Sequence, residues 1–180
     1  AALLIPTLPM LPGQILLLNL LSDFPMIAIS TDNVNEAQLR RPRSYQAREI
    51  LFISIILGLI SSIFDFFFFV AFNHPGQPKM LQTHWFIGSV LTELALIFSI
   101  RTRLPFWQGK NPTISLLVLS VFAGLSAIII PFTAFGQRVF NFMRPDLKSL
   151  GIIALIVITY FITTEILKVF YYRRKLNIDP

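Results

Sequence analysis

Apolar positions along this chain are gathered into long blocks divided by short polar connectors, not interleaved with polar residues at the period of a soluble strand or helix. A helix that crosses a bilayer needs about 20 apolar residues at roughly 1.5 Å each, with about 17 to 25 tolerated. Five blocks bounded by charge or turn residues meet that need: residues 13–29, 50–72, 85–101, 113–131 and 150–171, the third being short. The connectors between them, 30–49, 73–84, 102–112 and 132–149, each contain proline, as breaks between helices should. His74 and His84 fall in the second connector, and no ligand partners for a zinc site are apparent beside them. Ahead of the first block Pro6, Pro9 and Pro12 stand at every third position and forbid a regular helix there. Residues 1–7 then read as the tail of a further span. The pattern predicts an all-α, polytopic transmembrane bundle of about five spans plus the tail of a sixth, forming one membrane domain over residues 1–180.

Composition narrows the class. Of the 180 residues 54% are hydrophobic and 13% charged, half the charge of an ordinary globular domain. The chain has no cysteine, which excludes disulfides, thiolate metal sites and cysteine nucleophiles. A net charge of +6 could suggest nucleic acid, but the positive residues flank apolar blocks and do not form a basic surface, so no nucleic-acid partner is expected. Their distribution instead sets an orientation, because loops rich in Lys and Arg stay on the cytoplasmic side. Eleven lie on one side (Arg40, Arg41, Arg43, Arg48, Arg101, Arg103, Lys110, Lys168, Arg173, Arg174 and Lys175) and four on the other (Lys79, Arg138, Arg144 and Lys148). That places the carboxyl terminus in the cytoplasm. Trp85, Trp107, Tyr171 and Tyr172 fall near the expected interfaces.

Candidate chemistry comes from acids at membrane depth, which are costly unless they meet a partner or a wet cavity. In the first block Asn19, Ser22 and Asp23 stand at i, i+3 and i+4, so three oxygen-bearing side chains share one helix face. Hard cations such as Mg²⁺ and Ca²⁺ take oxygen ligands, and this face offers a carboxylate, an amide and a hydroxyl. Pro25 removes one helical hydrogen bond and could free carbonyls nearby. The bland reading is that Asn19 and Ser22 bond a neighbouring helix while Asp23 pairs with a cation at the boundary. Glu93, mid-way along the third block with Ser89 one turn before it, is a second ligand, a proton carrier, or a neutral acid bonded to another helix. Asp65, preceded by Ser61 and Ser62, is expected to bond a neighbouring span, and Glu165 is expected to pair with Lys168 three residues on. Gly58, Gly88, Gly124 and Gly151 stand singly in apolar spans and read as close-packing points, and no phosphate-binding glycine loop is present.

The run from Leu8-Pro9-Met10-Leu11-Pro12-Gly13 through Asn19-Leu20-Leu21-Ser22-Asp23, continuing past Ser30-Thr31-Asp32-Asn33 to Arg40-Arg41-Pro42-Arg43, resembles the sixth transmembrane helix and following loop of P-type cation-transporting ATPases. Ser61-Ser62-Ile63-Phe64-Asp65-Phe66 is similar to the seventh helix of the magnesium-transporting subgroup. Trp85-Phe86-Ile87 through Glu93 to Arg101-Thr102 and Pro105-Phe106 resembles the eighth helix and its exit. The resemblance covers nearly the whole chain, as sixth to tenth helices. It implies a metal site to which Asn19, Ser22, Asp23 and Glu93 contribute, with Mg²⁺ the transported ion and Ca²⁺ or H⁺ left open. The chain departs from the pattern in two ways: calcium pumps carry threonine where Ser22 stands, with their proline one position later than Pro25, and magnesium-type relatives often carry an aromatic at Ser22 and glutamine at Glu93. The resemblance further implies a plasma (inner) membrane location and the lipid bilayer, a metal cation and the remainder of the pump as partners. ATP would act only through parts not found in these residues, since the phosphorylation and nucleotide motifs have no counterpart here. The alternative is a standalone helical membrane protein acting as a structural or regulatory partner of a transporter.

Overall fold

A computed structural model of the chain describes residues 8–33 and 47–176, the side chains at 47–49 and 173–176 excepted. The expected tail of a preceding helix at 1–7 and the arginines at 40, 41 and 43 lie outside the described residues. The elements are α1 (Pro12–Ala28, extended by a 3-10 turn Ile29–Thr31), α2 (Ala47–Phe72), α3 (Pro78–Ile100), α4 (Ile114–Ile129, followed by a 3-10 turn Ile130–Phe132), the short α5 (Ala134–Val139) and α6 (Leu147–Leu176). All but α5 are long and apolar enough to cross a bilayer. The described residues contain no strand, so the all-α bundle of five spans stands.

The third span differs from expectation. It begins at Pro78, seven residues before the apolar block does, with proline in the first turn where its missing N–H costs nothing. The extra turns carry Gln82, Thr83 and His84, polar in sequence yet fully or nearly buried. Each makes a bond inside the bundle, although His84 Nε2 is buried without a partner among the described residues. Gln82 Nε2 donates to the Leu8 carbonyl at 2.8 Å, and Thr83 Oγ1 accepts the Met143 N–H at 2.9 Å. His84 Nδ1 lies 2.5 Å from the Met80 carbonyl while its ring stacks on Phe72, centroids 4.5 Å apart. His84 is therefore a core residue of α3 and not part of an outer loop, whereas His74 stays in the connector. Pro25, a potential breaking point, does not break α1, which runs on to Ala28.

α3 is the axle of the bundle and packs against α1, α2, α4 and α6; α1 also packs on α4, and α2 on α6. Half of its apolar window is buried, against 11% for α2 and 22% for α6, which leaves those two helices with broad apolar faces outward. Phe68, Phe72, Phe86, Ile87, Val90, Leu116 and Ile153 make the core. At Gly88 a Cβ would stand 2.2 Å from the Phe68 ring, so α2 and α3 touch there only because the side chain is missing. Gly124 rests over Leu91 and Leu94 in ordinary contact. Gly58 and Gly151 face open space, so the expected packing role does not hold for them.

Contacts between chain segments define two ends. At one, Asp32 meets Arg101 and the Thr113 N–H, Arg103 lies over the Tyr172 ring and Phe52 over Tyr171. This is the basic end. At the other, Gln14 Nε2 donates to the Phe140 carbonyl and Gln82 reaches Leu8. Hence α1 and α3 both run towards the basic end, parallel to each other.

Candidate cation site

Of the four residues expected to bind a cation, the structure draws Ser22 and Glu93 together. Ser22 is buried on the α3-facing side of α1, and its hydroxyl donates back to the carbonyls of Leu18 at 3.1 Å and Asn19 at 3.4 Å. Such back-bonding is how a serine inside a helix satisfies its donor. It leaves lone pairs to face α3, where the half-buried Glu93 comes within hydrogen-bonding reach of Ser22. The electrostatic neighbours of Glu93 among the described residues are acids, Asp23 and Asp65.

Asn19 and Asp23 sit one turn apart on the flank of α1 and are exposed. The face anticipated from spacing is thus split by rotation: the hydroxyl points inward, while amide and carboxylate point along an edge that no other described helix covers. Asp23 is nonetheless close enough to Glu93 to act on it electrostatically. Among the described residues no three acidic, histidine or cysteine side chains converge at metal-binding spacing, so these oxygens form an open arc and not a closed cage.

Beside this arc a polar seam crosses α2, α3 and α6. Trp85 Nε1 donates to Asp65 Oδ1 at 2.9 Å, which is the bond to a neighbouring span expected of that acid. Ser61 and Tyr160 share a hydroxyl–hydroxyl bond of 2.9 Å, and Tyr160, deeply buried, lies in electrostatic range of both Asp65 and Glu93. In the sequence Tyr160 is signalled only as a lone tyrosine amid the apolar residues of the last span.

The remaining acid is closed off. Glu165 and Lys168 pair at 2.7 Å within one turn of α6, both buried, as their spacing anticipated. Glu165 also accepts the Ser99 hydroxyl at 2.8 Å and the Phe106 N–H at 2.6 Å, while Lys168 donates to the Ser99 carbonyl at 2.8 Å. The cluster fastens α6 to the end of α3 and the segment after it. With every charge matched, it has no free valence for a travelling ion.

Residues 7–170 match the family model described as cation transporting ATPase, C-terminus. The chain is 31% identical, over 97% of its length, to the magnesium-transporting ATPase, P-type 1, of Salmonella typhimurium, and equally so to the protein of the same description from Escherichia coli. It spans about a fifth of the length of these relatives, 20% in each case. The chain belongs to the family of cation-transporting ATPase carboxy-terminal membrane domains.

Proposed function

We propose that the chain is the carboxy-terminal ion-translocating membrane portion of an ATP-driven pump, that its cargo is Mg²⁺, and that Asn19, Ser22, Asp23 and Glu93 supply part of the ion's path. The carrying observation is the meeting of Ser22 with Glu93 in electrostatic range of Asp23, an acidic pairing whose described neighbours bring no compensating cation. Two acids held close at membrane depth need a positive charge or a proton between them. A divalent cation supplies it. Mg²⁺ retains several waters and needs few carboxylates, which fits an open arc of one amide, one hydroxyl and two acids. Similarity to the magnesium-transporting ATPases of Salmonella and Escherichia supports the same cargo.

In this reading the exposed flank of α1 carrying Asn19 and Asp23 faces the rest of the pump, whose helices complete the coordination shell. ATP capture and phosphoryl transfer belong to that remainder and alternate the exposure of the site. The basic end faces the cytoplasm of a plasma (inner) membrane, in keeping with the bias of Lys and Arg. The test is Asp23→Asn in the full-length pump, reading Mg²⁺-stimulated ATP hydrolysis and Mg²⁺ flux into proteoliposomes. Loss of both with normal membrane insertion supports the assignment; unchanged flux removes Asp23 from the path.

A further inference from the structure

Asp32 and Arg101 lie outside the proposed ion path, yet they tie together the two helices that carry it. Asp32 Oδ2 accepts Arg101 Nε at 3.0 Å, and its Oδ1 accepts the Thr113 N–H at 2.9 Å. Arg101 also donates to the Lys110 carbonyl, and Asn33 Nδ2 donates to the Asn111 carbonyl at 3.0 Å. Both side chains of the ion pair are only 7% exposed. One carboxylate just beyond α1 therefore holds the C-terminal cap of α3 and the N-terminal cap of α4.

The position of this pair along the chain matters. Asp23 stands nine residues before Asp32, and Glu93 eight before Arg101, on parallel helices that meet at the ion pair. Counting about 1.5 Å per residue in the α-helices and about 2 Å in the 3-10 turn, with Asp32 extended beyond it, the two acids lie about 12 to 16 Å from it, level to within about 4 Å. A slip of one helical turn would separate them by about 5 Å. The apolar contacts of α1, through Leu17, Leu18, Leu21 and Ala28, are van der Waals contacts with no hydrophobic driving force in lipid, so a directional polar bond adds to the setting what they do not supply. At the far end Gln14 holds α1 to the Phe140 carbonyl, and Gln82 of α3 reaches only the Leu8 carbonyl, four residues before α1 begins. Buried ion pairs add little net stability, and their best-attested use is to specify register.

We infer that Asp32–Arg101 is a register pin: a positioning pair that fixes the axial setting of α1 against α3 and so holds Ser22 and Asp23 beside Glu93. Its role in transport rests on the cation-path reading above, but its geometry does not. Because the chain lacks cysteine, a pair introduced here is unique once other cysteines of the full-length pump are removed. In that background S22C/E93C is treated with a bifunctional thiol reagent spanning about one helical turn, about 5 Å. T83C/M143C reports the opposite end of α3, where Thr83 meets Met143.

Adding Arg101→Gln should cut the S22C/E93C cross-link about fivefold or more, the change that about 1 kcal/mol of register preference gives, and leave T83C/M143C intact. Arg101→Lys, which retains the charge, should keep most of the cross-link. Equal yields in R101Q and the parent overturn the pin, as does loss of both cross-links together, which would make the pair a general determinant of folding. Transport by Asp23→Asn is read separately: flux that survives that change sinks the ion path, while the cross-link data still decide the pin.

Discussion

Glu165 and Glu93 are both glutamates on spanning helices, and the bundle treats them oppositely. Glu165 receives Lys168, the Ser99 hydroxyl and the Phe106 N–H, and the lysine that neutralises it is itself satisfied by the Ser99 carbonyl. Glu93 has a serine within reach, and its charged neighbours among the described residues are acids. A saturated carboxylate in a low-dielectric setting is a fixed joint, since any rearrangement strands a charge. One short of donors binds a cation or a proton whenever one is offered. The difference separates scaffold from cargo path without appeal to position alone, because both residues are within the same bundle.

The sharpest way to break that contrast is to truncate each acid in turn. Glu165→Ala leaves Lys168 buried without its partner and should cost about 3–5 kcal/mol, read as a lowered midpoint in denaturant titration of the micelle-bound protein. Removing Lys168 as well should cost less than the single change, since no stranded charge remains. Glu93→Gln should alter the midpoint by no more than about 1 kcal/mol, because the glutamine amide can donate to the Ser22 oxygen while the change relieves repulsion from Asp23 and Asp65. Equal losses for E165A and E93Q would erase the distinction.

Four spans were legible from hydropathy to within a few residues, because a block of about 20 apolar residues has few alternatives in a membrane protein. The start of α3 was not, since Gln82, Thr83 and His84 look like loop residues until their partners at Leu8, Met143 and Met80 are in place. Local spacing disclosed Glu165 with Lys168, three residues apart. It could not disclose Asp32 with Arg101, whose partners are 69 residues apart and meet only when α1 and α3 lie side by side. The Asn19, Ser22 and Asp23 face was legible as a spacing but not as a rotation. With leucine on nearly every side of α1, the pattern does not say which edge faces α3, and the structure turns Ser22 in and the other two aside.

Asp65 stands between the two extremes, with one strong donor, the Trp85 indole, and half of its side chain covered. If donor saturation is what makes an intramembrane acid structural, Trp85→Phe should destabilise the bundle by about 1–3 kcal/mol, the usual cost of leaving a charged acceptor short of its bond. Asp65→Asn, which keeps the acceptor, should cost less. The check is the same denaturant midpoint, read together with indole fluorescence, which D65N should shift while W85F leaves only Trp107 to report. A larger loss in D65N than in W85F would mean that the negative charge, not the hydrogen bond, is what the site needs.

The smallest effect belongs to Asp146, an exposed acid just before α6 that extends the contrast to the water-facing end. The Ser149 side chain and the backbone around it donate to the Asp146 carboxylate, and together with a nearby His84 they hold its pKa below the usual aspartate value of 3.8. A carboxylate whose folded pKa is depressed stabilises the folded form above its unfolded pKa, and that contribution fades as pH falls through the folded value. Protonation weakens the acceptor that caps the first turn of α6, so amides 147–150 should lose protection before the rest of the helix does. Amide exchange of the parent and of Asp146→Ala, compared at matched pH, should differ most near pH 6 and converge towards about pH 2. A difference that stays constant across that interval would show that the cap acts through shape and not through charge, and Asp146 would then leave the series of acids ranked by their donors.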